Sequence, residues 1–580
     1  MIHWIKNKPF IVVLACVIFI QLILAFQGFD VCDDGFALTF YQQFFNDPSS
    51  VEYNFVYWLS GLFGGLWYQL FQGGGILWFK ILALIVNSLT FSFAYLILKN
   101  YIKTSYLLIG LCMVLFANDF GFLVFYNNHL TALLSVLSVY FLHKGLVSNT
   151  ARYVLFSGFI IGLNIFTRLP NLSQLALVLV IPTWYYIQSV SLKKSIRETG
   201  LFLAGSIVGI LLVLALLIVL GQFGIMKNVL STVFNLGTAS DSGHNMNALL
   251  SGYFYNYLKV AKYTGALLGY LVLAVLVAIK FRRLVFIQMS IKIITAILFA
   301  IWIQKAAIHG IYGLGYIGIF GILLFEKNNK ALKLLTVMAF VLQFLLPFGS
   351  GGGMKSSGYM AIWLSIPLFF YALYNAPKWI SANTKFIHNS EFFKIEIRTI
   401  ATLFGVIFLC YKAYKMSFNA YFDQGPRWEK NYTINSDLAK GIYTKERRAK
   451  IINDGLEHLK LFVEPNDYLL AYDKVPMLHF LTETRPYAYN SWPWIYDSDS
   501  FKDKLSEAEN NIEELPVIIQ QKFETIYKFS EPISDYMSLD RENDNFFNTS
   551  RTKVMLDFIS RHNYKIVWSN DYFNIYKTEE

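Results

Sequence analysis

Charged residues are scarce in this sequence, and their scarcity excludes most soluble folds. Asp, Glu, Lys and Arg make up 15% of the 580 residues, while 55% are hydrophobic. Soluble domains average about 25% charged residues, so a water-soluble protein of this length is excluded. The same composition excludes intrinsic disorder and collagen-like repeats. We therefore expect a membrane protein.

Cysteine is also rare, with four residues in the whole chain. Cys16, Cys112 and Cys410 fall inside apolar runs, and Cys32 lies in a polar stretch. This spacing supports neither a disulfide framework nor a paired-cysteine metal motif. The sequence has no P-loop and no dinucleotide-binding glycine fingerprint. Nothing in it therefore indicates a bound nucleotide.

The charges that are present divide the chain into two unlike parts. Residues 1–414 carry 28 Lys and Arg against 11 Asp and Glu, a balance of +17. Residues 415–580 carry 21 against 27, a balance of −6. The first part repeats apolar stretches of about 20 residues, the length that crosses a bilayer. The basic excess therefore reflects membrane topology and does not indicate nucleic-acid binding.

The apolar stretches predict thirteen membrane spans. Their approximate bounds are 9–28, 75–98, 105–126, 130–143, 152–168, 172–190, 199–222, 260–279, 284–303, 310–325, 333–348, 358–375 and 397–414. With the N-terminus inside, 19 of the 28 Lys and Arg fall on the inner side and seven on the outer side. Because cytoplasmic loops are enriched in Lys and Arg, we expect a cytoplasmic N-terminus and an outer C-terminal domain.

Two large outer loops follow from this topology, about residues 29–74 and 223–258. Within the first, eight of the 19 residues from 53 to 71 are Phe, Trp or Tyr. Aromatic rings favour the headgroup zone, so we predict that this stretch is an interfacial helix.

Residues 415–580 have the composition of a small extracytoplasmic α/β domain. Residues 467–472 and 516–520 read as strands, and residues 554–561 read as a helix. A terminal hairpin follows, with Asn570 and Asp571 at its turn. The chain as a whole is thus predicted to be a polytopic α-helical membrane protein with this added domain.

The strongest local feature is an acidic motif directly after the first span. Asp30, Asp33 and Asp34 lie here, and five of the 11 acids of residues 1–414 fall between residues 30 and 52 without any Lys or Arg. Neighbouring carboxylates repel each other, and an apolar boundary solvates them poorly. Both effects raise a pKa toward the range of a general base. The alternative is that these acids only mark an outer loop.

Several charged residues at the outer ends of the spans are candidates for binding a substrate. Arg168 ends the fifth span, Lys80 lies five residues into the second, and Lys355 lies in a glycine-rich loop, so all three suit a phosphate group. Arg168 is equally suited to snorkel to lipid headgroups, and a glycine-rich loop is also a common connector. Asp119, near the outer end of the third span, is their acidic counterpart, or it pairs with a lysine.

The order of these features resembles the GT-C glycosyltransferases, and within them the protein O-mannosyltransferases and lipid A aminoarabinose transferases. By this resemblance Asp33 matches the catalytic acid and Asp34 the acid beside it. Lys80 takes the place of an arginine that faces the lipid phosphate, and Arg168 begins a turn similar to Lys-Gly-Pro. Relatives often carry an acid before the fourth span, where this chain has Asn127, Asn128 and His129. Asn128, His129 and Asp119 are therefore candidate substrate contacts.

The resemblance implies an enzyme with about 13 membrane helices that uses a sugar on a polyprenyl phosphate, held among membrane lipids. Asp33 would deprotonate an acceptor hydroxyl on a protein, lipid or glycan, and the anomeric carbon would be inverted. Lys80, Arg168 and Lys355 would bind the donor phosphate. The sequence specifies no cofactor and leaves a divalent cation open. The resemblance also implies the bacterial inner membrane, with the C-terminal domain in the periplasm.

Other classes of function stay open at this point. A transporter or flippase of a lipid-linked or anionic substrate would show inverted repeats and broken midplane helices, and no repeat is visible. A polysaccharide polymerase or ligase would depend on a large late outer loop, whereas the acidic pair here lies in the first. A non-catalytic scaffold that binds glycans is the remaining alternative.

Overall fold

Helices make up nearly all of the first part of the chain. The computed structural model describes residues 8–117, 124–189, 192–238, 245–281, 283–350, 353–383, 390–522 and 549–579. The helices up to residue 418 are α1 (Pro9–Ala25), α2 (Asp33–Gln43), α3 (Trp58–Leu70), α4 (Gly75–Leu98), α5 (Thr104–Leu115), α6 (Asn127–Val147), α7 (Ala151–Asn164), α8 (Val180–Gln188), α9 (Leu192–Val219), α10 (Phe223–Thr238), α11 (Met246–Lys280), α12 (Val285–Phe325), α13 (Lys330–Leu345), α14 (Met354–Ser357), α15 (Ser365–Asn383) and α16 (Ser390–Phe418). Turns of 3₁₀-helix at Pro48–Tyr57, Gln72–Gly74, Leu169–Leu179 and Gly358–Ala361 join some of them.

The length and apolarity of these helices identify a multi-pass membrane protein. Five helices of the described chain are long and apolar enough to cross a bilayer, and they lie in α4, α6, α9, α11 and α12. A bent pair, Met354–Ala361 with Ser365–Ile380, adds a sixth candidate and turns by 64°. The shorter α1, α5 and α7 are also apolar. The total of thirteen spans stays a prediction.

Two regions compare differently with the predicted spans. The predicted spans 284–303 and 310–325 both lie in α12, which is interrupted between them at Ala307 by a backbone φ of 47°. The expected outer loop 223–258 is helical over much of its described length, because α10 fills its first half and α11 begins at Met246.

The C-terminal part contains a small mixed sheet. Its five strands are β5 (Tyr468–Tyr472), β6 (Arg485–Pro486), β7 (Val517–Gln521), β8 (Lys565–Ser569) and β9 (Phe573–Lys577), arranged in the order β6-β5-β7-β9-β8. Strand β5 is parallel to β6 and β7, whereas β9 is antiparallel to β7 and β8. Two-residue strands precede them, namely β1 (Asn419–Ala420), β2 (Asp423–Gln424), β3 (Tyr432–Thr433) and β4 (Tyr443–Thr444). The helices are α17 (Glu446–Leu459), α18 (Met477–Thr482), α19 (Ser498–Asn511) and α20 (Thr549–Arg561).

The strands and the last helix confirm the sequence reading of this part. The buried run of β5 suits a central strand that is covered on both faces. The expected second strand, helix and terminal hairpin are β7, α20 and the β8–β9 pair. The proposed domain limits of 1–414 and 415–580 stay a prediction, although α16 ends at Phe418 and β1 follows directly.

The acidic loop and the C-terminal sheet share one hydrophobic core. It joins Phe36 and Phe40 of α2 to Leu469 of β5 and Ile518 of β7. Helix α18 packs along α2, with the backbone N–H of Met477 donating to the carbonyl of Val31 at 3.1 Å. The sheet domain therefore covers the segment that carries the acidic motif.

Candidate active site

The acidic motif forms the first turn of α2. The Asp30 carboxylate accepts hydrogen bonds from the backbone N–H groups of Cys32 at 2.8 Å and Asp34 at 2.9 Å, so it satisfies two donors at the start of the helix. Asp33 and Asp34 follow in that first turn, where the helix dipole favours negative charge. Both are buried, and Asp33 keeps 9% of its surface exposed.

Asp33 accepts hydrogen bonds from two tyrosines that are far away in the sequence. Tyr421, in the turn between β1 and β2, donates to Oδ2 at 2.7 Å, and Tyr126 donates to Oδ1 at 3.5 Å. Burial raises the pKa of Asp33 to about 6, against the lowering effect of both phenols, and the charge of Asp34 raises it further. This value lies close to the operating range of a general base.

The other two acids of the motif are also hard to ionise. Burial raises the pKa of Asp34 to about 6, although the Lys80 ammonium and the N–H of Val124, at 3.1 Å, lower it. Burial and the charges of Asp34 and Asp33 raise the pKa of Asp30 well above its ordinary value. The three carboxyls thus compete for negative charge, as the sequence predicted.

A pocket opens beside these acids, between the first outer loop and the segment after α16. Its lining includes both signs of charge and consists of Gln27, Gly28, Asp30, Asp34, Lys80, Met416, Asn419, Ala420, Tyr421 and Arg427. Lys80 is buried and donates to the carbonyl of Gly28 at 2.9 Å, and Arg427 donates to the carbonyl of Gln27 at 3.1 Å. Two cations therefore lie beside the acids in one pocket.

Arg168 is buried beside the glycine-rich loop and does not line this pocket. Its guanidinium donates to the carbonyl of Phe348 at 3.3 Å and contacts the sulfur of Met360 at 3.6 Å. The charge of Arg168 interacts with Tyr57 and Tyr126, and both tyrosines also interact with Asp33. The sequence grouped Arg168 with Lys80, whereas in the structure these tyrosines connect it to Asp33.

The other predicted site residues lie around the start of α6 and the glycine-rich loop. Asn128 donates to the carbonyl of Ser356 at 3.3 Å, and buried His129 accepts from the N–H of Tyr126 through Nδ1 at 3.0 Å. Lys355 is exposed on α14 and is not part of the pocket lining. Asp119 lies outside the described residues.

Sequence reasoning missed Tyr126, Tyr421 and Arg427. Tyr126 directly precedes the Asn-Asn-His segment that was singled out, so its position carried a signal. Tyr421 and Arg427 follow α16, and Tyr421 is 388 positions away from Asp33 in the sequence. No local pattern brings such residues to one site.

The described part of the chain offers no ready metal site. Among those residues no three His, Cys, Asp or Glu side chains form a group that could hold a metal ion. The carboxylates of the acidic motif instead accept hydrogen bonds from backbone and phenol donors. A divalent cation at this site therefore stays a prediction.

Comparison with solved structures shows which fold this site belongs to. ArnT of Cupriavidus metallidurans, a lipid A aminoarabinose transferase crystallised with undecaprenyl phosphate, matches with a TM-score of 0.51 and 9% identity over 98% of each chain. The apo form of ArnT scores 0.48 at 10% identity over the same share. An oligosaccharyltransferase of Archaeoglobus fulgidus scores 0.45 at 10% identity, over 90% of this chain and 70% of that one. No protein-family model and no curated sequence matches.

The match to lipid-bound ArnT covers nearly the full length of both chains. This protein therefore has the GT-C fold, and the resemblance noted in the sequence is confirmed at the level of the fold. At 9% identity the comparison assigns no residue role.

Proposed function

We propose that the protein is a membrane glycosyltransferase that moves a sugar from a polyprenyl phosphate to an acceptor hydroxyl at the outer face of the inner membrane. The observation that carries this proposal is the contact between the acidic motif and the mixed-charge pocket. Asp34 lines that pocket, and Asp33, whose pKa burial raises to about 6, is hydrogen-bonded to Tyr421 in its wall. A base and an anion site therefore lie side by side.

Asp33 acts as the general base in this proposal. Its carboxylate takes the proton of the acceptor hydroxyl as the oxygen attacks the anomeric carbon, and the bond to the phosphate oxygen breaks on the opposite side. This geometry inverts the anomeric configuration. Asp34 keeps negative charge close to Asp33 and so maintains its basicity.

Lys80 and Arg427 stabilise the charge that develops on the departing lipid phosphate. Both side chains donate to backbone carbonyls of the pocket wall, which holds them in place before the reaction. Preorganised cations in a dry site contribute more than they would in water. In this proposal Arg168, Lys355, Asn128 and His129, which lie outside the pocket lining, contact the sugar or the acceptor.

The donor class can be tested without knowing the sugar. Native mass spectrometry of the detergent-purified protein, incubated with undecaprenyl phosphate or with undecaprenol, compares a lipid with and without the phosphate. We expect selective retention of undecaprenyl phosphate by the wild type and at least a tenfold loss in Lys80→Met. Equal retention of both lipids, or no effect of Lys80→Met, would contradict the phosphate site and favour a transporter of another substrate.

The catalytic role of Asp33 has its own test. In cells that express Asp33→Asn, we expect glycosylated polyprenyl phosphate to accumulate, because the donor binds but is not consumed. Asp557→Asn is the matched control, since that carboxylate is 69% exposed on α20. Lipid extraction followed by mass spectrometry measures the glycosylated polyprenyl phosphate in cells that express either variant. Wild-type consumption of the donor by Asp33→Asn, at equal membrane expression, would remove the base assignment.

A further inference from the structure

We infer that Tyr421 is a positioning residue for Asp33, supplied by the segment that begins the C-terminal domain. Its hydroxyl donates to Oδ2 of Asp33 at 2.7 Å, which is the shorter of the two phenol contacts to that carboxylate. A hydrogen bond to the ionised form of a carboxylate favours that form. Tyr421 therefore keeps a buried acid available as a base.

The hairpin that carries Tyr421 is fixed firmly to the acidic loop. Asp423, two residues later, is almost fully buried and pairs with Lys430 at 2.9 Å and Arg448 at 3.6 Å. Its Oδ2 also accepts the backbone N–H of Phe29 at 3.1 Å, while Arg448 donates to the carbonyl of Phe29 at 3.0 Å. The same buried charges thus hold the residue before Asp30 and the turn that presents Tyr421.

Close backbone packing adds to this connection. A Cβ atom on Gly28 would lie 2.6 Å from the Cβ of Ala420, so the absence of a side chain lets the hairpin approach the loop directly. Gly28 has a φ of 104°, which also favours glycine. The position of the Tyr421 hydroxyl therefore follows from contacts on both sides of Asp33.

Toward Asp33, Tyr421 acts as a hydrogen-bond donor. Burial and the charges of Asp33 and Asp30 raise the pKa of Tyr421 well above its ordinary value, so the phenol stays protonated. Other groups also influence Asp33 from the elements around it. Asp30, Asp34, Tyr57 and Tyr126 interact with Asp33 directly. Lys80 interacts with Asp30 and Asp34, and Arg168 interacts with Tyr57 and Tyr126.

The test measures the protonation of Asp33 directly. Dicyclohexylcarbodiimide reacts with protonated carboxyls in apolar surroundings, and peptide mass spectrometry reads the modified fraction of Asp33 between pH 4.5 and 8.5. We expect the midpoint of labelling to move up by about one pH unit in Tyr421→Phe. Tyr126→Phe is the matched control and should move it less, because its hydroxyl lies 3.5 Å from Oδ1. Unchanged midpoints in folded Tyr421→Phe would overturn the inference.

A second variant covers a failure of Tyr421→Phe to fold. Difluorotyrosine at position 421 is a stronger donor of nearly the same shape, so the midpoint should fall; a rise or no change would overturn the inference.

The inference rests on the proposed role of Asp33 as a base, but the labelling needs no sugar transfer. A shifted midpoint in a protein that never consumes a polyprenyl donor would keep the hydrogen bond and reject the proposed function. A labelling midpoint that Tyr421→Phe leaves unchanged in an active transferase would keep the proposed function and reject the role of Tyr421.

Discussion

In the proposed mechanism Asp33 has to be ionised before it can take a proton from an acceptor hydroxyl, and its surroundings determine the pH at which this occurs. Burial is the largest effect on its pKa and raises the value, while the phenol of Tyr421 acts in the opposite direction. Asp34 on the same turn has a similarly raised pKa. We therefore expect a small change of pH near 6 to alter the ionised fraction of Asp33 and Asp34.

This titration predicts the acid limb of the pH profile. Because the pKa of Asp33 is raised to about 6, the base is lost as the pH falls through 6 and is fully ionised above about 7. We expect kcat/KM to fall roughly tenfold for each pH unit below the pKa of about 6. The measurement is sugar transfer in detergent between pH 4.5 and 8. A rate that stays constant down to pH 5 would show that the base is a different group or is not rate-determining.

Asp423 shows a buried charge used for position instead of proton transfer. Burial raises its pKa, but Arg448 and Lys430 outweigh this effect and lower the pKa overall. A buried ion pair is poor evidence of stability in itself, while loss of one partner leaves an uncompensated charge. The ion pairs of Asp423 with Arg448 and Lys430 act by fixing position, because they hold Phe29 and the turn of Tyr421 together.

At the level of elements, the contact between α2 and α18 decides whether the acidic motif is covered. Thr39 and Gln42 of α2 donate to the carbonyls of Pro476 and Phe480, and the Cys32 thiol donates to the carbonyl of Lys474. Every residue of α2 is buried. The helix that starts at Asp33 is therefore held along its length by the C-terminal domain.

Gly35 offers a way to disturb only that contact. An added Cβ would lie 2.2 Å from the backbone nitrogen of Met477, so Gly35→Ala must push α18 away from α2. We expect a loss of about 1–3 kcal/mol in stability, seen as a lower melting temperature in detergent, together with reduced transfer. Gly224→Ala on α10 is the control, because nothing lies within 4 Å of its added Cβ. Equal melting temperatures for the two variants would contradict the tight α2–α18 contact.

The sequence predicted the helices and strands better than the contacts between them. The apolar runs of β5 and β7 and the Asn570 turn give local signals, and these strands were found where expected. The contact of Tyr421 with Asp33 has no such signal, because it depends on how α16 returns the chain to the first loop. Arg168 was selected for its charge at a span end, yet its partners are a carbonyl and a sulfur in the glycine-rich loop.

The whole molecule behaves as one packed unit on the side of the acidic loop. The hydrophobic core that contains α2 extends into the C-terminal sheet, and the buried pair of Glu52 with Lys504, at 2.7 Å, links the first loop to α19. A second core lies among the helices α5, α12 and α15. The C-terminal domain therefore has to be on the same side of the membrane as the acidic motif, whichever side that is.

The side itself can be determined by cysteine labelling in intact cells. With the four native cysteines replaced, a single cysteine is placed either at Asp557 of α20 or at Ser148, which is exposed between α6 and α7. Since Lys and Arg concentrate in the segments assigned to the inner side, the positive-inside rule predicts that Ser148 lies in the cytoplasm and Asp557 outside. We expect a membrane-impermeant maleimide to label the Asp557→Cys variant in spheroplasts and the Ser148→Cys variant only after permeabilisation. The opposite pattern would invert the topology and move the proposed reaction to the cytoplasmic face, where a polyprenyl donor would have to be used before it is flipped.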